Sequence, residues 1–200
     1  MKTTSIRATN VLIVTQCSFT RLALGAVLTG MQLPSGEKIN VATGAFFNNN
    51  HMIIDFIICA DDLFNEVSLK SILKIKESLK HASLSSKMVF LTSHNNFSLG
   101  YFISGLCKKN GYCTSIDKPI ENIVMDLRRI LNFSELPPHT LILTAREREI
   151  IIELIKQKKP AYLSKKYSVN QKTISAHKVS ALRKLNVVHL NNIFSLNALI

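Results

Sequence analysis

The sequence predicts a two-part molecule: an α/β unit with a doubly wound parallel sheet over residues 9–131 and a small all-α unit over residues 141–200, joined by a linker at 132–140. Three observations predict it. Up to Leu131, short apolar runs alternate with helix-length amphipathic segments, a pattern that builds a parallel sheet covered on both faces. Pro137 and Pro138 then stop any helix and favour extended backbone. Finally, the formal charge of +12 is unevenly divided. Residues 141–200 carry eleven Lys/Arg and three Glu, a net +8, whereas residues 1–140 carry fourteen basic and ten acidic side chains, a net +4.

Taken in order, Val11–Val14 is a short apolar run bounded by polar residues and reads as a buried strand. Ser18 is placed to cap a helix through Leu28, with Leu22, Gly25, Ala26 and Leu28 near one face. A weak strand at Lys38–Ala42 precedes a strong one at Met52–Cys59, whose apolar continuity suits a strand covered on both faces. Leu69, Ile72, Leu73, Ile75 and Leu79 lie at helical spacing within 67–79. Met88–Leu91 is a further strand, Phe97–Cys107 a helix and Tyr112–Ile116 a fifth strand candidate. The unit closes with a helix at Ile120–Leu131 whose inward residues are Ile123, Val124, Leu127, Ile130 and Leu131.

Composition narrows the function classes. With 46% hydrophobic and 19% charged residues, the chain can bury a core, and no biased tract points to disorder. The basic excess points to a polyanionic partner, nucleic acid or an anionic surface. No uninterrupted apolar segment of roughly 20 residues is present to span a bilayer, and Met1–Gln16 has no signal-peptide pattern. Cys17, Cys59, Cys107 and Cys113 form no CxxC pair and sit in apolar surroundings, which fits a reducing cytoplasm. No nucleophile elbow, zinc-ligand spacing or phosphate-binding glycine loop occurs, so the expectation is a non-enzyme without metal or cofactor.

In the second unit, Thr144 with Glu147 three residues on is a capping-box signature opening a helix through Ile155, buried through Ile150, Ile151, Leu154 and Ile155. Pro160 suits the start of a short helix reaching Tyr167. Asn170 then opens a third helix to Leu185, with Ile174, His177 or Lys178, Ala181, Leu182 and Leu185 at three-to-four spacing. A short helix, a tight turn and a basic helix make the helix-turn-helix arrangement. The apolar segment 189–200 predicts a last helix, packing in its own domain or forming a dimer contact.

Two resemblances follow from these residues. Asn10 to Gly25, with Thr92, Gly111 and the Lys118-Pro119 pair, resembles the receiver domain of two-component response regulators over 9–131. That family holds Mg²⁺ through an acidic pair after the first strand, because two carboxylates neutralise a transferring phosphoryl group. Here Thr15 and Gln16 stand there, and Ala60 falls at the phosphoacceptor position, with Asp61 and Asp62 just after. The resemblance therefore implies a degenerate receiver that is not controlled by ordinary aspartyl phosphorylation. Leu143-Thr-Ala-Arg-Glu-Arg-Glu-Ile150 together with the stretch from Lys172 to Val187 resembles the LuxR-type (GerE-type) DNA-binding domain, nearest its Rcs-type regulators. Departures include Lys158-Lys159-Pro160 in a turn where the family often has Gly, and Asn186 where Gly is common.

The resemblance implies a transcription regulator that binds double-stranded promoter DNA as a homodimer, or as a heterodimer with a related regulator. It places Ser175, Ala176 and Val179 toward the groove, with Lys172 and Lys178 alongside. Small and apolar groups there favour thymine methyls over bidentate guanine recognition. Thr173, His177, Arg183 and Lys184 fall at phosphate-contact positions, and Lys165 and Lys166 on the preceding helix can reach the backbone. Alternatives stay open: a solvated basic face, a buried hydrogen-bonding His177, a Thr173 that only caps, a co-regulator acting mainly through protein contacts, and a true phosphoacceptor in which a one-residue slip restores Asp61.

Overall fold

The computed structural model describes residues 8–33, 36–43, 53–60, 73, 76–77, 82–106, 110–132 and 142–200. Strands β1 (Thr9–Val14), β2 (Ile39–Thr43), β3 (Ile54–Ala60), β4 (Ala82–Thr92) and β5 (Asn110–Ser115) form one parallel sheet in the order β2-β1-β3-β4-β5. That is the flavodoxin-like doubly wound order, with its switch point between β1 and β3. Because side chains alternate along a strand, Val11, Ile13, Phe56, Ile58, Val89 and Leu91 cluster on one face. Leu12, Val14, Ile57, Cys59, Met88 and Phe90 fill the other. β3 is sealed on both sides, as its unbroken apolar run implies.

Helices α1 (Ser18–Thr29) and α3 (Ile120–Leu131) cover the first face through Leu24, Leu28, Ile123, Leu127, Ile130 and Leu131. Helix α2 (Phe97–Leu106) covers the second through Leu99, Phe102 and Ile103. A Cβ at Gly111 of β5 would run into the Ser104 side chain, so glycine permits the close approach of α2. α1 departs from expectation twice. Its N-cap is Cys17 without a side-chain cap, Ser18 being already helical. Leu22 is 72% exposed, since Leu24 and Leu28 face the sheet instead. Most of the helix expected at 67–79, the linker prolines and Asp61 and Asp62 lie outside the described residues.

The C-terminal part contains α4 (Ala145–Ile155), α5 (Pro160–Lys166), α6 (Gln171–Lys184) and, where the sequence predicts a last helix, a 3₁₀ helix, Leu190–Leu199. Ile150, Leu154, Leu163 and Ile174 form the joint of the first three helices. Ile193 and Leu196 of the 3₁₀ segment are fully buried. Each of α4, α5 and α6 ends in a Schellman turn. The amides of Lys158, Val169 and Val187 bond the carbonyls of Glu153, Ser164 and Leu182, while Gln157, Ser168 and Asn186 take φ of 60, 53 and 55°. Asn186 meets the left-handed requirement that glycine usually meets, and its side-chain amide donates to the Asn95 carbonyl at 3.1 Å. Arg148 donates to the Gly105 carbonyl at 3.2 Å. These bonds join the all-α part to the α2 side of the sheet. No helix among the described residues is long and apolar enough to cross a membrane.

Candidate nucleic-acid interface

α6 is set by its cap. The Asn170 carboxamide oxygen accepts from the Thr173 amide at 2.7 Å and from the Thr173 hydroxyl at 3.0 Å. Asn170 thereby satisfies one of the amides a helix start leaves open, and Thr173 takes part in the cap. From that start, Ile174, Ala181 and Leu182 turn into the core. Lys172, Ser175, Ala176, Val179 and Arg183 are exposed. Their spacing of three and four residues puts them in one stripe along the helix. Val179, 61% exposed, is an apolar tip in the middle of it. His177 and Lys178 are half-buried at its margin.

Lys184 has a different environment. Its ammonium lies 2.9 and 2.7 Å from the two carboxylate oxygens of Glu147, and the Ser180 hydroxyl donates to the same carboxylate at 2.7 Å. Glu147 also completes the predicted capping box, accepting from the Thr144 amide at 2.8 Å while its own amide donates to the Thr144 hydroxyl at 3.2 Å. Only 4% of Glu147 is exposed. Burial alone would raise its pKa, yet the hydrogen bonds from Lys184, Ser180 and Thr144 prevail and hold it at about 2. One carboxylate thus starts α4 and pins α6 across it. A comparable tie holds α5: Lys166 pairs with Glu153 at 3.0 Å, which raises the lysine's pKa. The Tyr167 ring sits beside both Arg146 (4.4 Å) and Lys166 (5.3 Å). Lys165 stays exposed.

No acidic residue follows Glu153 in the sequence, which leaves Lys166 and Lys184 without a visible partner nearby in the chain. Their partners lie upstream on α4. Glu147 was legible as a cap, but its grip on Ser180 and Lys184 was not. The spacing of acids at 147 and 153 on one helix was the available signal.

At the other end of the molecule, the positions beyond the sheet's switch point are described in part. Thr15 is buried and its hydroxyl accepts from the Cys17 amide at 3.1 Å, while Gln16 is exposed. Thr92 is fully buried with its hydroxyl donated to the Ser93 carbonyl at 2.8 Å. Lys118 bonds Asp126 at 2.7 Å and the Thr114 hydroxyl at 3.1 Å. Burial opposes ionisation of Asp126, but the bonds from Lys118 and Thr114 and the charges of Lys118 and Arg129 hold its pKa low. Among the described residues, no group of three or more His, Cys, Asp or Glu is arranged to hold a metal ion.

The chain thus pairs a doubly wound, receiver-like sheet with a capped helix-turn-helix. The family described as bacterial regulatory proteins, luxR family, matches residues 141–196. The C-terminal part is therefore a LuxR-type helix-turn-helix domain, a DNA-binding module of transcription regulation. Solved structures similar to the chain include the two-component response regulator RcsB in complex with DNA, at 17% identity and TM-score 0.49, covering 95% of this chain and 98% of that one. RcsB from Salmonella enterica serovar Typhimurium, bound to a promoter in the presence of a phosphomimetic, is similar at 20% identity and TM-score 0.49, covering 94% and 99%. Full-length FixJ from B. japonicum is similar at 12% identity and TM-score 0.40, covering 94% and 95%. No curated protein matches the chain.

Proposed function

We propose that the protein regulates transcription by placing α6 in the major groove of promoter DNA, acting in the cytoplasm as a homodimer or as a heterodimer with a related regulator, without control by aspartyl phosphorylation. The carrying observation is the exposed stripe Lys172, Ser175, Ala176, Val179 and Arg183 on α6, the third helix of a LuxR-type domain and the second of its helix-turn-helix. Such a helix enters the groove with its outward face to the base edges. Ala176 and Val179 suit thymine methyls, and Ser175 can donate to or accept from either base. Lys172, Lys178, Arg183 and Lys165 add phosphate affinity and salt dependence. Lys184 and Lys166 serve by holding the helices in place, and Thr173 by capping.

Independence from phosphorylation is supported by the residues after the carboxyl ends of β1 and β5. Thr15 and Gln16 are poor ligands for a hard cation, and Lys118 is engaged by Asp126 and Thr114. The deciding experiment is a gel-shift and anisotropy series on the full chain against genomic promoter fragments. Binding should weaken steeply with salt and collapse for Lys172→Glu/Arg183→Glu with the far-UV spectrum unchanged; unaltered binding in that variant would sink the proposal.

A co-regulator reading has one observation of its own. Phe19 (84% exposed), Leu22, Ala23 and Ala26 form an apolar stripe on the outer face of α1, the kind of surface that marks protein contacts. Co-purification with another regulator, lost on Phe19→Ser/Leu22→Ser, combined with no DNA binding by the chain alone, would favour that reading.

A further inference from the structure

We infer that the turn between α4 and α5 is a separate phosphate-contact arm, in which Lys156, Lys158 and Lys159 grip the DNA backbone beside the groove that α6 occupies. The inference rests on the DNA-binding reading above and adds a site to it. The α4–α5 turn places three ammonium groups within four residues, and all three lysines are exposed. Their charge has no local neutraliser. Glu147 is taken by Lys184, Glu149 by Arg146 at 3.2 Å and Glu153 by Lys166, and no Asp or Glu follows Glu153 in the sequence. Among the described residues none of the three lysines forms an ion pair; the Lys158 ammonium instead lies 5.8 Å from the centre of the Tyr162 ring.

The backbone beneath them is fixed. Gln157 donates to Leu154 at 2.9 Å and Lys158 to Glu153 at 3.0 Å, closing the Schellman turn. Pro160 then locks the first position of α5. Three cations projected from a rigid turn lose little backbone entropy on meeting an anion. Geometry supplies the anion's identity. When the second helix of this motif lies in the groove, the first crosses the phosphate backbone, and Lys159 is the N-cap of that first helix. The seven residues of α5 span roughly 10 Å, about three nucleotide steps along one strand. The turn therefore meets phosphates displaced along the duplex from those within reach of Lys165, at the other end of α5. Duplex DNA fits this better than an acidic protein, since the ammoniums line the same motif that docks the recognition helix.

The test uses the full chain and a non-specific duplex of about 30 base pairs, with affinity followed by anisotropy across a salt series. Each phosphate contact contributes about 0.9 to the slope of log K against log salt. Lys156→Ala/Lys158→Ala/Lys159→Ala should lower that slope by about 2–3, and the triple Lys→Arg variant should restore it. A slope equal to wild type in a folded triple-Ala variant would overturn the inference. So would unchanged DNA binding accompanied by lost binding to anionic lipid vesicles, which would assign the arm to a membrane surface. Failure of the wild-type chain to bind duplex at any salt would instead defeat the DNA-binding reading itself.

Discussion

The two halves of the molecule place their ion-paired lysines differently. At the carboxyl ends of the sheet, Lys118 is bonded to Asp126 and Thr114, and Thr92 is buried with its hydroxyl spent on a carbonyl. In the helical domain the ion pairs of Lys166 and Lys184 gather on α4, while Lys165, Lys172 and Arg183 are exposed. Charge count is a poor guide to function until internal pairing is subtracted. In the helical domain, the cations left without an ion pair, Lys165, Lys172 and Arg183, are exposed where a polyanion can reach them.

The largest effect that would sharpen this contrast is Lys172→Glu/Arg183→Glu, for which duplex affinity should fall at least about 100-fold at low salt as two attractive contacts become repulsive. Lys118→Ala, removing a charge of the same sign from the sheet domain, should leave duplex affinity within about twofold; an equal loss would erase the distinction between the halves.

Next comes Glu147→Ala, which removes a cap and leaves Lys184 without its partner. Together these should cost the helical domain roughly 2–3 kcal/mol in urea unfolding. The pH dependence has a definite sign. Glu147's pKa is depressed in the folded state from 4.5 to about 2, so its contribution is complete above about 4.5 and is lost as pH falls toward 2. Acid unfolding of Glu147→Gln should accordingly show a shallower pH dependence across that window; an identical profile would remove Glu147 from its central position.

A smaller gain is expected from Gln157→Gly. The left-handed conformation at Gln157, φ 60°, is strained for a residue with a Cβ, and relief of that strain should stabilise the domain by roughly 0.5–1 kcal/mol, net of glycine's greater freedom when unfolded. The smallest effect is a null one. Incubation with Mg²⁺ and a small phosphodonor should leave the intact mass unchanged; a stoichiometric phosphoryl gain would restore phosphorylation chemistry to the sheet domain.

The sequence by itself determined what local periodicity and chain-neighbour chemistry can encode. The alternating apolar runs specified the parallel sheet, the Thr144–Glu147 spacing specified the start of α4, and Asn170 specified the start of α6. The exposed side of α6 was also legible, because its buried positions recur at helical spacing. On α1 this signal failed. Leu22 and Leu28 are both apolar, but the register of the helix on the sheet turned Leu24 and Leu28 inward and left Phe19 and Leu22 outside. Only the tertiary structure decided which cations are free. Lys184 lies 37 residues from Glu147 and Lys166 lies 13 from Glu153, and those pairs meet only because α5 and α6 pack across α4. Periodicity follows from backbone geometry and survives in a single segment, whereas an ion pair depends on the distance between segments, which the packed core alone sets.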